Sequence, residues 1–473
     1  MKKVCQLFLI VSCVCSSQNK QLLYGFNEVP QALLINPGTQ VENDWYVGIP
    51  LLSHLHANVG MSGLSAYDVF AKDGRDFNSK LRDVVYSMDD KDVFAINQQL
   101  EILSGGFAFG NGYEKNEYLS FGLYEELDVF SYFPKDYAVL AYEGNFNNIN
   151  RTFDLSDLNV SGEFISVLHV GYNKKVSKRF TMGARGKIYS SIVNVNSTGN
   201  RGTFVTVPGR DNFYKHIFNL GLELRTSGLA SLTNDENSDV GSDISTLKRR
   251  ILFGGNLGLG FDVGFTYKLK DNLTIDGSIQ DIGFIRHKKD IENHKLDGYY
   301  EFEGINPLFP ESSQGQTAQE YWDEVAEQYE NLFEVEKTKD KYTTWRPVKL
   351  NAAINYAYGS NSSKEDCDCM ANDDAYGNAV GVQLFAVNRP KQPQLALTAF
   401  YYKRLFNQLR IKATYTLDSY SSTNLGLGIS AHMGNVNFYV MADNLLKFQN
   451  LAKAQSLSLQ LGFNYIIKTN EKQ

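Results

Sequence analysis

The chain has 473 residues, with 46 lysines and arginines against 53 aspartates and glutamates, and a formal net charge of -7. That balance, with no basic patch, excludes nucleic acid as a partner. Three of the five cysteines (Cys5, Cys13, Cys15) lie in the first stretch of the chain, so a disulfide scaffold is excluded, and no apolar run reaches the roughly 20 residues that a bilayer-spanning helix needs.

Met1-Lys2-Lys3, the apolar stretch Val4 to Cys15 and Ser16-Ser17-Gln18 follow the charged, apolar and small-residue order of a secretory signal, with cleavage expected after Ser17. A lipoprotein variant acylated at Cys13 is the lesser reading, because Cys13 and Cys15 also fit as apolar signal residues. Residues 18–45 then form an N-terminal periplasmic or plug segment.

From there the chain alternates. Leu55, Ala57, Val59 and Met61 interleave with His54, His56, Asn58 and Gly60. Leu257, Leu259, Phe261, Val263, Phe265, Tyr267 and Leu269 interleave with Gly258, Gly260, Asp262, Gly264, Thr266 and Lys268. The same period of two runs through Leu409–Leu417, Leu425–Met433 and Leu457–Ile467. Successive side chains of a strand face opposite sides, so each of these strands has an oily and a polar face. An export signal followed by many such strands points to an all-β fold: a transmembrane antiparallel up-and-down β-barrel of about 14–16 strands, lipid outside and polar groups inside. It is expected over residues 46–468 in the bacterial outer membrane, with a short periplasmic tail at 469–473.

Connections alternate too. Tight turns fall at Gly434-Asn435, Lys270 to Asn272, Glu114-Lys115 and Asn173 to Lys178; long inserts fall at about 63–100, 127–158, 226–250 and 300–344. Counting back from a periplasmic C-terminus places the turns inside and the inserts outside, as outer-membrane barrels require. The stretch Gly359 to Gly377 is long yet falls on the inner side, which implies a missed strand or one long inner loop. Two outer inserts carry helical periodicity, at Phe77, Leu81, Val84, Val85 and Met88 and at Trp322, Val325, Tyr329, Leu332 and Phe333. They read first as folded loops packing on the rim, and second as lids or plugs.

Arg185, Lys187, Glu223, Arg225, Asp262, Lys268, Arg410 and Lys412 all share the polar parity and are the candidate lumen-lining residues. Their mixed signs suit either a wet channel or a lumen filled by paired side chains. Cys367 and Cys369, in Asp366-Cys-Asp-Cys369, form a strained disulfide, part of a metal site, or simply an acidic loop. His54 and His56 have metal-ligand spacing but no third partner, so they read as lumen lining. The Thr233–Asp243 insert is oxygen-rich but lacks calcium-loop spacing. No nucleophile elbow, phosphate-cradling glycine loop or zinc-protease helix is present, so no enzyme, cofactor or resident metal is expected.

Gly260-Phe-Asp-Val-Gly264 followed by Ile279-Gln-Asp-Ile-Gly-Phe-Ile285 resembles the long-chain fatty-acid-transporter-like barrels of Bacteroidota, including barrels attached to the type IX secretion system. Leu34-Ile-Asn-Pro-Gly38 also resembles the Asn-Pro-containing N-terminal segments of those barrels, and the stretch Val382 through Tyr465, with Phe438-Tyr-Val-Met-Ala-Asp-Asn444, resembles an uncharacterised outer-membrane family of the same bacteria. The resemblance implies a transporter or channel for a small molecule, hydrophobic ones included, with the N-terminal segment entering the lumen as a hatch. The alternative is a plugged barrel that anchors or scaffolds secreted or surface proteins. Outer-membrane lipid is a partner under either reading.

Overall fold

The computed structural model describes residues 20–467 apart from 42, 111–114, 211, 234–246, 304–316, 318, 321, 324–325, 328–332, 361–375, 407 and 419. The expected signal, the tail and the Cys367–Cys369 loop therefore lie outside the described residues.

Fourteen antiparallel strands close into a barrel. They are β1 (Trp45–Gly48 continued by Leu55–Met61), β2 (Val93–Phe109), β3 (Glu117–Tyr132), β4 (Val160–Ser177), β5 (Phe180–Ser197), β6 (Asn256–Lys270) and β7 (Leu273–His287). The second half is β8 (Tyr342–Trp345 continued by Lys349–Ser360), β9 (Tyr376–Val387), β10 (Gln394–Phe406), β11 (Leu409–Asp418), β12 (Asn424–Met433), β13 (Val436–Ala442) and β14 (Ser456–Ile467). Each pairs with its neighbour in sequence, and β14 closes on β1 through Trp45↔Ile467 and Leu55↔Leu461. Closure gives every strand two partners, the only way a sheet satisfies its backbone in lipid.

The alternation works as the sequence implies. Leu257, Leu259, Phe261, Phe265 and Tyr267 of β6 face outward, while Asp262 and Thr266 are buried inside. Aromatic pairs gather near the inner turns, with Trp45–Tyr465, Phe109–Tyr172 and Phe180–Tyr267 at centroid separations of 5.9, 6.3 and 6.2 Å. Such girdles mark the membrane–water boundary, and the whole is a barrel of the bacterial outer membrane. β8 and β9 are direct neighbours out to Ser360↔Tyr376, so no strand is missing beside the long stretch 359–377.

Three irregularities shape the wall. Ile49–His54 bulges out of β1: six residues lie between Gly48 and Leu55 where β14 has two between Asn464 and Leu461. The wall stays sealed there, since Phe463 N donates to Leu52 O (2.9 Å) and Glu101 N to His54 O (2.9 Å). β8 breaks at Arg346-Pro347-Val348, where Pro347 has no N–H to give the ladder. In β7 an extra residue between Ile279 and Ile282 places Asp281 at φ +58°. That bulge turns Asp281 into the lumen beside Gln280, although strict alternation would aim it at lipid.

Outside the membrane, the strands Thr152–Asp154, Arg201–Pro208, Tyr214–Ser227, Ile291–Phe302 and Glu336–Thr338 build a second sheet. It joins the barrel through Asn194–Asn196 against Arg225–Ser227. Two helices, α1 (Phe77–Ser87) and α2 (Lys135–Glu143), lie on it around Val85, Val139, Phe153, Phe204 and Leu220. Asp76 caps α1 by accepting from Ser79 N at 3.0 Å. Val84 and Val85 of the expected helical face are buried, whereas Phe77 is exposed. Phe333 packs against Phe218 and Tyr300 at 5.2 and 5.1 Å, Trp322 is exposed, and Val325, Tyr329 and Leu332 lie outside the described residues.

Leu259 is 59% exposed in the middle of β6. Leu259→Arg is expected to cost about 2–4 kcal/mol of barrel stability, read from urea midpoints in lipid vesicles. An unchanged midpoint would show that this face does not meet acyl chains.

Candidate functional site

The lumen is crossed by a chain of ions of alternating sign. Arg185 and Lys187 sit two apart on β5, with Asp262 of β6 in register with Arg185. Arg185 Nη1 is 3.2 Å and Lys187 Nζ 2.8 Å from Asp262 Oδ2. Lys187 also reaches Asp281 at 2.7 Å, and Lys349 of β8 touches Asp281 at 2.9 Å and Glu126 of β3 at 3.0 Å. Arg346, at the break in β8, joins Glu126 (3.1 Å) to Glu163 of β4. Asp128 and Glu163 face each other across β3 and β4, a repulsive pairing relieved because each has its own arginine. Arg389, in the connection from β9 to β10, takes Asp128 with both terminal nitrogens at 2.9 and 3.0 Å and lies 4.7 Å from the Phe130 ring. β3 and the β9–β10 connection stand on opposite sides of the ring, so these pairs brace the barrel across its bore. Ions so deeply buried persist only when fully paired, and removing one partner typically costs about 3–5 kcal/mol.

Below this brace, residues 20–41, 43 and 44 run through the bore. Leu22, Leu23, Phe26 and Val29 cluster with Tyr439 and Met441 of β13, Ala353 of β8 and Tyr402 of β10. The rest of the attachment is polar and mostly aimed at the segment's backbone. Lys412 Nζ donates to the carbonyls of Gln21, Leu22 and Tyr24 at 3.2, 3.3 and 2.5 Å. Arg185 donates to the carbonyls of Leu33 and Leu34, which end the short 3-10 helix Pro30–Leu34. Gln280 donates to Leu34 O (2.6 Å), Ser278 to Ile35 O (2.7 Å), and Asn173 to Pro37 O and Thr39 O (2.7 and 2.9 Å). Gln31 exchanges hydrogen bonds with Asn464 and donates to Glu101.

Asn36-Pro37-Gly38 lies directly on Gly183 and Gly264, which are partners in the β5–β6 register. A Cβ on Gly183 would overlap the Pro37 carbonyl, and one on Gly264 the Asn36 side chain; one on Gly38 would strike the Gly264 backbone. The alternating glycines of β6 thus include one that seats the segment against bare backbone.

Cavities lie on both sides. An inner one of about 400 Å³ opens around Tyr24, Glu28, Lys268, Asp276, Arg404 and Arg410. An outer one of about 320 Å³ is floored by Asp128, Glu163, Arg346 and Arg389. Between them the described bore holds voids of only about 30 and 20 Å³, room for a water molecule or two each.

The sequence-derived lumen residues divide accordingly. Arg185, Lys187 and Asp262 enter the brace, and Lys412 holds the segment. Arg410 is buried 3.6 Å from Glu28 of the segment, and Lys268 stands at the inner mouth. Glu223 and Arg225 are corrected: their strand alternates, but it belongs to the outer sheet, where the two pair with each other at 2.7 Å above the barrel. His54 and His56 are buried with stacked rings 6.5 Å apart, and His54 Nδ1 lies 2.6 Å from Tyr439 OH. Among the described residues no group of three metal-ligating side chains occurs. Sequence reasoning missed Glu126, Asp281, Arg346, Lys349 and Arg389. Two signals were present: an aspartate at lipid parity in Ile279-Gln-Asp-Ile282, and the Arg346-Pro347 and Arg389-Pro390 steps, where a strand must stop pairing.

Residues 37–443 match a family described as a family of unknown function (DUF5723). No curated protein matches the chain. Among solved structures, a Pseudomonas aeruginosa FadL homologue aligns at 10% identity and TM-score 0.41, covering 93% of this chain and 94% of its own. The Ralstonia pickettii toluene transporter TbuX aligns at 10% identity and TM-score 0.40, covering 93% and 94%. The P. putida toluene transporter TodX aligns at 10% identity and TM-score 0.38, covering 97% and 96%.

Gly264→Val is expected to leave the barrel folded, shown by heat-shifted gel mobility, while unseating residues 20–44 and exposing them to protease. Continued protection of that segment would show that the glycine seat does not hold it.

Proposed function

We propose that this chain, which belongs to the DUF5723 family, is a gated outer-membrane channel for a small molecule, held shut by its own N-terminal segment. The observation that carries this is the arrangement of the bore: a cavity of ligand size on each side, and between them a segment threaded inside the wall rather than built into it. The segment contributes no strand to the ring, so it can move without opening the sheet. Beside the apolar cluster of Leu22, Leu23, Phe26 and Val29, its ties are mostly side-chain hydrogen bonds to carbonyls, each worth about 0.5–1.5 kcal/mol, or about 1.5–3 when the donor is charged. Freeing Ile35 to Thr39 breaks three bonds from neutral donors, which lies within what a ligand's differential binding can offset.

The outer approach combines ions and amides with the apolar surfaces of Phe130, Trp345, Pro347 and Pro390. A hydrophobic molecule, which the sequence resemblance implies, would leave the polar groups unpaired on entry. A polar solute would not, and the geometry favours one.

The refolded protein in a planar bilayer is expected to be nearly silent. Asn173→Ala combined with Ser278→Ala removes three ties to Ile35, Pro37 and Thr39 without touching the ion brace, and is expected to raise the frequency of steady current steps severalfold. If the double variant releases the segment to protease yet stays silent, the segment is not the gate.

A further inference from the structure

The outer cavity has a chemistry that the channel reading does not itself specify. Its four ionised groups cancel. Arg346 is matched by Glu163 and Glu126, and Arg389 by Asp128, so no excess charge is left to draw in an anion or a cation. The pairing leaves hydrogen-bonding capacity over. Glu163 Oε1, Arg346 Nε and Arg389 Nε, one acceptor and two donors on residues that line this space, are buried and have no hydrogen-bond partner. Arg346 and Arg389 are themselves more than nine-tenths buried.

Up the wall from this floor, β4 and β5 add uncharged polar side chains in register. Asn194 stands opposite Glu163 and Asn196 opposite Ser161, with Thr198 just past the end of β5. The fixed period of two points those on the strands at the same cavity. A ligand that suits this lining must donate and accept at several points and carry no net charge. A hydroxyl group does both at once, whereas an ammonium only donates and a carboxylate only accepts. A planar amide offers a donor and an acceptor side by side, which matches a pair of neighbouring hydroxyls. The volume of about 320 Å³ sits at the small end of ligand pockets.

We propose that the outer vestibule is a recognition site for a small, uncharged, hydroxyl-rich solute, of mono- or disaccharide size. This rests on the channel reading and names its substrate class: the solute would be bound at the ion brace before it meets the N-terminal segment.

Isothermal titration of the full refolded protein in detergent tests it, with glucose, xylose and maltose as probes and glycylglycine, glutarate and hexanol as contrasts. At least one sugar is expected to bind saturably. Asn196→Leu and Ser161→Val, two wall positions outside the brace, are each expected to weaken that binding about fivefold to tenfold, the loss of one hydrogen bond. Heat-shifted mobility confirms that the variants fold. Saturation by glycylglycine in place of the sugars, no saturation by any sugar, or sugar binding that both variants leave unchanged would each overturn the proposal. Uptake of the same sugars into proteoliposomes separates the two claims. Binding without uptake upholds the vestibule and sinks the channel, while sugar uptake that neither variant slows upholds the channel and sinks the vestibule.

Discussion

A strand whose one face is oily for lipid has a polar face left over, and closing fourteen such strands traps that face inside a narrow bore. Everything distinctive about this molecule follows from having to satisfy it. Buried charges and amides are costly unless paired. This chain pairs them in two ways: side chain to side chain across the bore, from Asp262 through Lys187, Asp281, Lys349, Glu126 and Arg346 to Glu163, and side chain to backbone through the N-terminal segment.

The two solutions share residues. Arg185 pairs with Asp262 and, with its remaining donors, holds the carbonyls at the end of the short helix Pro30–Leu34. The brace and the segment are therefore mechanically linked at β5 and β6, the strands that also supply the glycine seat at Gly183 and Gly264. A solute that rearranges the ions of the floor acts on a network that ends at the segment's own backbone. That gives the gate and the vestibule a shared physical basis, through contacts that have discrete partners rather than through a continuous deformation.

Local irregularity is where the chemistry enters. The left-handed Asp281 supplies a carboxylate that touches both Lys187 and Lys349. The Arg346-Pro347 break frees the Arg346 N–H for the Gly283 carbonyl (2.9 Å) and turns its guanidinium inward to two glutamates. Bulges and strand breaks cost pairing in the sheet, and here each delivers an ion to the bore.

The architecture was legible in the sequence because the membrane enforces a strict period of two: a charged residue facing lipid is expensive, so parity assigns inside and outside strand by strand, and turn lengths orient the whole. Arg185, Lys187, Asp262, Arg410 and Lys412 could be placed on that basis alone. Parity reports a direction, not a partner. It could not tell that Glu223 and Arg225 alternate on a strand that has left the membrane, nor that a bulge reverses Asp281. Which residues meet across the bore depends on the ring's closure, since Asp128 and Arg389 are 261 positions apart and adjoin only because β3 and the β9–β10 connection face each other. The sequence by itself determined the barrel and its polar interior, because solvent and lipid act on every strand locally; the ion brace, the seated segment and the two cavities were decided by tertiary structure alone, because pairing across a lumen is a property of the closed ring.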